Sequence, residues 1–589
     1  MGEFGREPLT IVEIDVDFCA NVYGSSPCTA ALDANNPAKC FNTRKTCQDT
    51  ANIDLGTLTL RFAENISGLP KGVTVFPALV SVSDRAGELN LSGLDPRSTA
   101  LGKRARVSVQ FQDFTYHDTL TDKYQSERVS GSAQFSAVGY DPASRGTFFG
   151  RLLARNPFFN GKALRVKRGF VGDALADMRT EHYVISEWQG PSAAGRVTVV
   201  AKDVLDLARK EKSLAPVPSK GKIAADVAVD GTSLTVTPAG IGAEYSASGR
   251  VSVGREVMTF TRVDDVLTLT GRGVDGTEAS AHGEGDLAQE CLHYDGETVA
   301  EVIYDLLTTY AGVPTGFIDF ADWESSTTTW LAGLGLTVTI TRPTGVAELI
   351  GEIGQHGVSV WWEPTAQRIK YRPVRPLEPD EAFVDLTDAA SFLEGSVDSS
   401  VLDELRISSL QFWHGTIDPT DSPTSGRNFR IVEVGVGDGV NYDEERQQEV
   451  FSRWLGPDGD SAAAGVIVDR LVSRYQESPI EITGKLDIKD RDAVTLGALV
   501  RITSRVLQDA TGATQTRIAQ IKHVQQSAGA LMFKAETYDV DTRFGFWMTD
   551  AVSLPDYDTA TDLEKSQGAF WMDDAIGEFP DGTAPYNYF

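Results

Sequence analysis

Four of the five cysteines, Cys19, Cys28, Cys40 and Cys47, fall within 29 residues, separated by loops of eight, eleven and six residues. Thiolates are the side chains that bind soft metals, and a reducing compartment disfavours disulfides, so such a quartet points to a metal or an iron–sulfur cluster. The spacing matches neither the paired C-x-x-C of zinc knuckles nor the ferredoxin run. On chemistry alone, cluster and zinc stand level, with disulfides and free thiols still open. Cys291, remote in sequence although two residues from His293, reads as an ordinary buried thiol.

The rest of the chain offers little that could turn over a substrate. It holds no G-x-S-x-G, no H-E-x-x-H and no P-loop, and its seven histidines are scattered. Carboxylate pairs such as Glu444 with Glu445 read as solvated surface in so acidic a chain. Gly271, Gly273 and Gly276 satisfy G-x-G-x-x-G, but Thr277–Gly285 supplies no helix N-terminus for a pyrophosphate, so a dinucleotide site is rejected. His282 in the same stretch reads as a turn-stabilising residue.

The elements that would position these groups are mainly strands. Ala105, Val107, Val109 and Phe111 alternate with polar residues, as do Leu164 and Val166 with Arg165 and Lys167. Ser213–Lys222 (SLAPVPSKGK) reads as a linker, because proline removes donors and small polar residues bury little. Thr298 with Glu301 forms a capping box ahead of a helical stripe from Val299 to Tyr310, which Gly312 ends. Val346, Leu349, Ile350 and Ile353 form a second stripe before a hairpin turned at Pro364. Arg375–Asp380 is linker-like. Further helices are expected around Val450, Phe451, Trp454 and Leu455 and around Val468, Leu471, Val472 and Tyr475, with strands from Glu481 to Tyr538.

The expected fold class is therefore mainly β with α+β segments, and multidomain. Its parts are a four-cysteine N-terminal segment (1–75), a first barrel-like β-domain (76–212), a small inserted β-module (223–293), an α+β domain (294–375), a second barrel-like domain with helices (381–543) and a tail (544–589). The tail repeats itself: Phe546–Ala551 (FWMTDA) recurs as Phe570–Ala575 (FWMDDA), which suggests two docking strips, with capping of the chain's own core at even odds.

At 589 residues the chain is long enough for three to five domains, and 55 glycines with 25 prolines suit many turns between short strands. Its formal net charge of −29 argues against a sequence-reading nucleic-acid binder, which needs a basic footprint. An acidic surface would instead let a polyanion pass without sticking, although it serves general solubility equally well. Met1–Thr10 has no apolar signal core, and the most apolar stretch, Leu331–Ile340, is too short to cross a bilayer, so no stable membrane insertion is expected.

Several strings carry a resemblance. Ile14-Asp15-Val16-Asp17-Phe18-Cys19, Tyr23-Gly24, Pro27-Cys28-Thr29-Ala30, Lys39-Cys40-Phe41-Asn42-Thr43 and Thr46-Cys47-Gln48-Asp49 resemble the opening of tail-tip or baseplate hub proteins from siphophages and gene transfer agents. Asp113-Phe114, His117-Asp118, Gly146-Thr147-Phe148-Phe149 and Arg151–Pro157 are similar to the first β-domain of those hubs. Gly271–Gly273 with Gly276, Thr277 and His282 resembles a small β-module common in tail proteins.

The resemblance implies that Cys19, Cys28, Cys40 and Cys47 hold a [4Fe–4S] cluster, with zinc as the alternative. It further implies a non-enzymatic homotrimer at the distal end of the virion tail, assembled in the host cytoplasm. The partners implied are the tail tube or distal tail protein and fibre or spike components, with phage DNA passing through the ring without sequence-specific binding. Competing readings are a tail-associated cell-wall hydrolase or metal enzyme, and a receptor-binding β-module.

Overall fold

The computed structural model describes residues 7–538, apart from 92, 96–100, 210–212, 379–380, 438–443, 488–492 and 528–529, and beyond them 555, 559–561 and 564. The two FWM repeats lie outside the described residues. The chain is mainly β and multidomain, and it divides into two compact units. One unit comprises Met1–Gly87, Arg104–Asp206 and Trp362–Arg368; the other comprises Glu88–Lys103, Leu207–Trp361 and Ile369–Phe589.

The first unit is built on an antiparallel sheet of β1 (Pro8–Cys19), β2 (Leu55–Phe62), β3 (Leu79–Arg85), β4 (Arg106–Gln112), β5 (Ala163–Phe170), β6 (Arg179–Gln189) and β7 (Arg196–Lys202). Their spatial order is β2-β1-β5-β6-β7-β4-β3. Period-two alternation explains why β1 lies in the middle of one half. Val12, Ile14 and Val16 enter the core, while Glu13 and Asp15 on the opposite face meet Arg165 of β5 at 2.7 and 2.6 Å. The core face is closed by α2 (Phe148–Arg155), whose Phe148 and Phe149 pack among Phe62, Phe76, Phe111 and Phe114. Each such ring contributes about 1.5–3 kcal/mol by leaving water. Between β4 and α2 lies the short helix α1 (Gln125–Ser130), which Gly131 ends in a left-handed conformation at φ 88°.

The second unit carries a sheet ordered Gly335–Ile340, Ala288–Thr298, Ser248–Val253, Glu256–Val263, Val266–Gly271, Ser233–Thr237, Lys222–Ile223. A six-stranded sheet runs from Val384–Thr387 through Leu499–Gln508, Thr514–Ser527, Ala530–Thr537 and Ile480–Asp487 to Asp398–Val401. A three-stranded sheet places Ser409–Thr416 between Phe429–Val436 and Gln447–Phe451. The Thr298–Glu301 capping box is present, and so are the helices from Val299, from Val346 and through Val468–Tyr475.

Three expectations need correction. Val450 and Phe451 are in a strand parallel to Ser409–Thr416, and Leu455 bridges to Thr337, so no helix forms there. The i, i+1, i+4, i+5 apolar spacing mimics a helix, but sheet pairing overrides so short a pattern. The proline-rich Ser213–Lys222 is no free linker: Ser213 and Ala215 are buried, and Leu214–Ala215 pairs with Thr344–Gly345. In the linker-like stretch after Pro373, Arg375 is buried and paired with Glu381 at 2.7 Å, and its carbonyl accepts from the Tyr538 hydroxyl.

Candidate functional site

The four N-terminal cysteines come together. Cys19 ends β1, and the 35 residues from there to β2 form a loop with only two 3-10 turns, Arg44–Thr46 and Thr50–Asn52. Cys19, Cys28, Cys40 and Cys47 all line one narrow cavity in that loop, and all four are free thiols. Apolar burial does little of this work, because the cluster beneath is small: Tyr23, Ala30, Tyr124 and Ala133. The loop is instead held by hydrogen bonds. The Cys19 N–H donates to the Asn42 carbonyl at 2.7 Å, and Asn42 returns its amide nitrogen to the Cys19 and Asn21 carbonyls. Asn42 adopts φ 55°, a left-handed conformation that asparagine tolerates better than most residues, and its Oδ1 is buried without a partner.

A second segment, about a hundred residues away in sequence, clamps the loop. The Lys123 ammonium donates to the carbonyls of Cys19 and Ala20, both at 2.8 Å, and of Asn21 at 3.3 Å. Arg128 on α1 donates to the Cys40 carbonyl at 2.8 Å while its Nε is fixed by Asp122 at 2.6 Å. Phe41 carries the guanidinium of Arg128 3.7 Å and that of Arg155 3.9 Å from its ring centre, cation–π contacts that pin the residue beside Cys40. Arg155 is anchored by Asp118 at 2.6 Å, and Asp113 accepts the N–H of Phe149. The motif strings around Asp113, Asp118, Phe148 and Arg155 therefore converge on one knot behind the cysteine loop. Lys123, Tyr124 and Arg128 were not legible as site residues, since only the fold brings them to the loop.

Burial and neighbouring sulfurs act together on two of these thiols. Burial pushes the Cys40 thiol up, opposed by the Asn42 N–H and reinforced by Cys47, Cys28 and Cys19. Cys47 is raised by burial and by its sulfur neighbours in the same way, although the Asp49 N–H donates to its Sγ at 3.4 Å. Four thiolates in one cavity repel one another, so ionising them together needs positive charge at the centre. Backbone N–H groups aimed at sulfur are the outer-shell contacts that tune a sulfur-ligated centre. Among the described residues there is no group of three or more His, Cys, Asp or Glu side chains that could hold a metal ion as they stand.

Cys291 lies apart from the quartet, buried in the second unit, its thiol pushed up to about 12 by burial. His282 donates to Glu256 at 2.7 Å, and Glu256 also receives Arg272 and the backbone N–H groups of Gly273 and Ser280. That closed set ties the Gly271–His282 turns to a strand, as expected of a turn-stabilising histidine. No helix among the described residues is long and apolar enough to cross a membrane.

No protein-family model and no curated protein matches the chain. The solved structures it is similar to include phage tail proteins, a gene transfer agent virion and PdpA–VgrG complexes. It is similar to a tail protein from Neisseria meningitidis MC58 (9% identity, 83% of this chain and 94% of that one, TM-score 0.35). It is also similar to the 43 kDa tail protein of prophage MuSo2 from Shewanella oneidensis (10% identity, 79% and 99%, TM-score 0.34). A chain of a native gene transfer agent virion is similar at 11% identity over 78% and 81%, with a TM-score of 0.27.

Proposed function

We propose that this chain is the structural baseplate hub of a long-tailed phage tail tip, and that Cys19, Cys28, Cys40 and Cys47 hold a [4Fe–4S] cluster in it. The observation that carries this reading is the convergence of all four sulfurs on one cavity, within a loop whose carbonyls are held by Lys123 and Arg128. It joins the N-terminal motif resemblance to four free thiols gathered on one loop. When bound, the cluster supplies cross-linking: four covalent ties across a loop that buries too little apolar surface to order itself. With every iron held by a cysteine, the chain leaves no open coordination position, which favours a clasp over a catalyst.

In the same reading the hub is a homotrimer joining the tail tube or distal tail protein to fibre or spike components. Acidic side chains line its channel, so that exiting DNA finds few cations to bind. Size-exclusion chromatography with light scattering on the full chain tests the trimer. A monomer at assembly concentrations, or a channel wall with more basic than acidic side chains, contradicts this part.

A further inference from the structure

The three-stranded sheet of the second unit has Ser409–Thr416 at its centre, Gln447–Phe451 on one side and Phe429–Val436 on the other. Among the described residues, no strand pairs with the outer edge of Phe429–Val436. One face of that strand is closed: a Cβ at Gly435 would stand 2.3 and 2.8 Å from the side chains of Val468 and Val472 on the helix Ser461–Tyr475. The opposite face carries Val432, Val434 and Val436, which are 38, 54 and 77% exposed. Valine favours strands but not water, and successive valines along an open edge are a template for a further strand.

The backbone hydrogen bonds alternate in the same way. The Gly437 N–H donates to the Ser408 carbonyl, whereas the Ser409 N–H donates to the Arg446 carbonyl and the Trp413 carbonyl accepts from Ser452, both on the far side of the sheet. Glu433 and Gly435 therefore bond inward, and the N–H and C=O groups of Val432, Val434 and Val436 point outward. The apolar surface follows this edge and does not spread across the face. Val434 lies beside Gln411 and Glu449, and Val436 beside Ser409 and Gln447; only Val432 has apolar neighbours, Trp413 and Phe451. A helix or sheet laid over the whole face would bury those polar groups, whereas one strand added at the edge covers the valines alone.

The chain itself supplies such a strand. Its last long strand leads to Tyr538, whose ring lies 4.3 Å from the guanidinium of Arg474 in the last turn of Ser461–Tyr475. Gln476, which caps that helix, would stand 3.1 Å from a Cβ on Gly437, so the chain leaves Tyr538 near the Val436 end of the open edge. Residues 539–544, fully extended, span about 20 Å. Phe544, Phe546, Met548 and Asp550 then alternate in the sequence. Antiparallel to the edge, they fall opposite Val436, Val434, Val432 and Arg430. Arg430 is free to take a carboxylate, since its contact with the exposed Asp458 is a loose 3.6 Å. In the reverse direction Asp550 would meet the end that runs into Asp438. The second copy of the motif has Gly568 where the first has Phe544, and so offers one apolar residue fewer.

We propose that Phe544–Asp550 adds to this sheet as an antiparallel strand on the Phe429–Val436 edge of its own chain, sealing an edge that would otherwise pair with other molecules. Neither the cluster nor the hub reading depends on it.

Hydrogen-exchange mass spectrometry on the full chain tests the pairing. Peptides covering 429–437 are expected to be protected in the parent. Phe546→Pro, which removes a ladder N–H and an apolar ring, is expected to speed exchange of their outward amides about tenfold or more. Phe570→Pro, the same change in the second copy, is expected to leave 429–437 as in the parent, and protection is expected to be equal at low and high protein concentration. Equal exchange in the parent and Phe546→Pro, an equal loss of protection in Phe570→Pro, or protection that disappears on dilution, which would give the edge to a second copy of the chain, overturns the proposal.

Discussion

Arg128 holds the Cys40 carbonyl at 2.8 Å with one end of its guanidinium and Asp122 at 2.6 Å with the other, both side chains being 1% exposed or less. A charge so buried tolerates no loss of its partner. Arg128→Met should destabilise the first unit by about 3–5 kcal/mol, because Asp122 is left unpaired, and should lower iron per purified chain. Thermal unfolding and iron assay on the same preparation check both; a variant that melts like the parent and binds equal iron would contradict the clamp.

Lys123 acts from the solvent side of the same loop. Lys123→Ala removes donors from three carbonyls and should cost about 1–3 kcal/mol, less than Arg128→Met. Its sharper signature is faster loss of metal to a chelator at constant temperature. Unchanged release kinetics would mean that the ammonium merely decorates the loop.

His356 gives a pH signature in the second unit. Burial drives its imidazole down to about 3, and Nε2 hydrogen-bonds Ser452 at 2.9 Å. A folded value below the unfolded one, about 6.5, means that the unfolded chain takes the proton first. The stability tied to this group is whole above pH 6.5 and falls as pH drops toward 3, by at most about 1.4 kcal/mol per pH unit. His356→Gln should flatten the pH 6.5–4.5 limb of denaturant midpoints. An unchanged slope would remove His356 from acid unfolding.

Thiol chemistry separates the quartet from the fifth cysteine. After metal removal in the native state, Cys28 and Cys47, which are partly exposed, should alkylate well before Cys291, whose buried thiol sits near 12. Mass spectrometry of partly labelled protein reads the order. Early labelling of Cys291 would show that its strand opens readily.

Much of this architecture was legible in local pattern. Val107, Val109 and Phe111 do line one face of a strand, and Thr298 with Glu301 does cap the helix that follows, because both signals act within a few residues. The pattern failed where the spacing was short and a partner strand decided, as at Val450–Leu455, and where proline-rich sequence was buried by neighbours, as at Ala215. The four cysteines stood out by type and clustering, but the clamp did not. Lys123 and Arg128 read in the sequence like ordinary surface residues, and no periodicity encodes the approach of the 123–128 segment to the loop.

The most direct measurement is the content of iron, acid-labile sulfide and zinc in the full chain purified without oxygen. The account predicts iron and sulfide in equal amounts, about four of each per chain, and their joint loss in Cys40→Ala. Zinc at about one per chain, or protein that contains neither iron nor sulfide when freshly isolated, would contradict it.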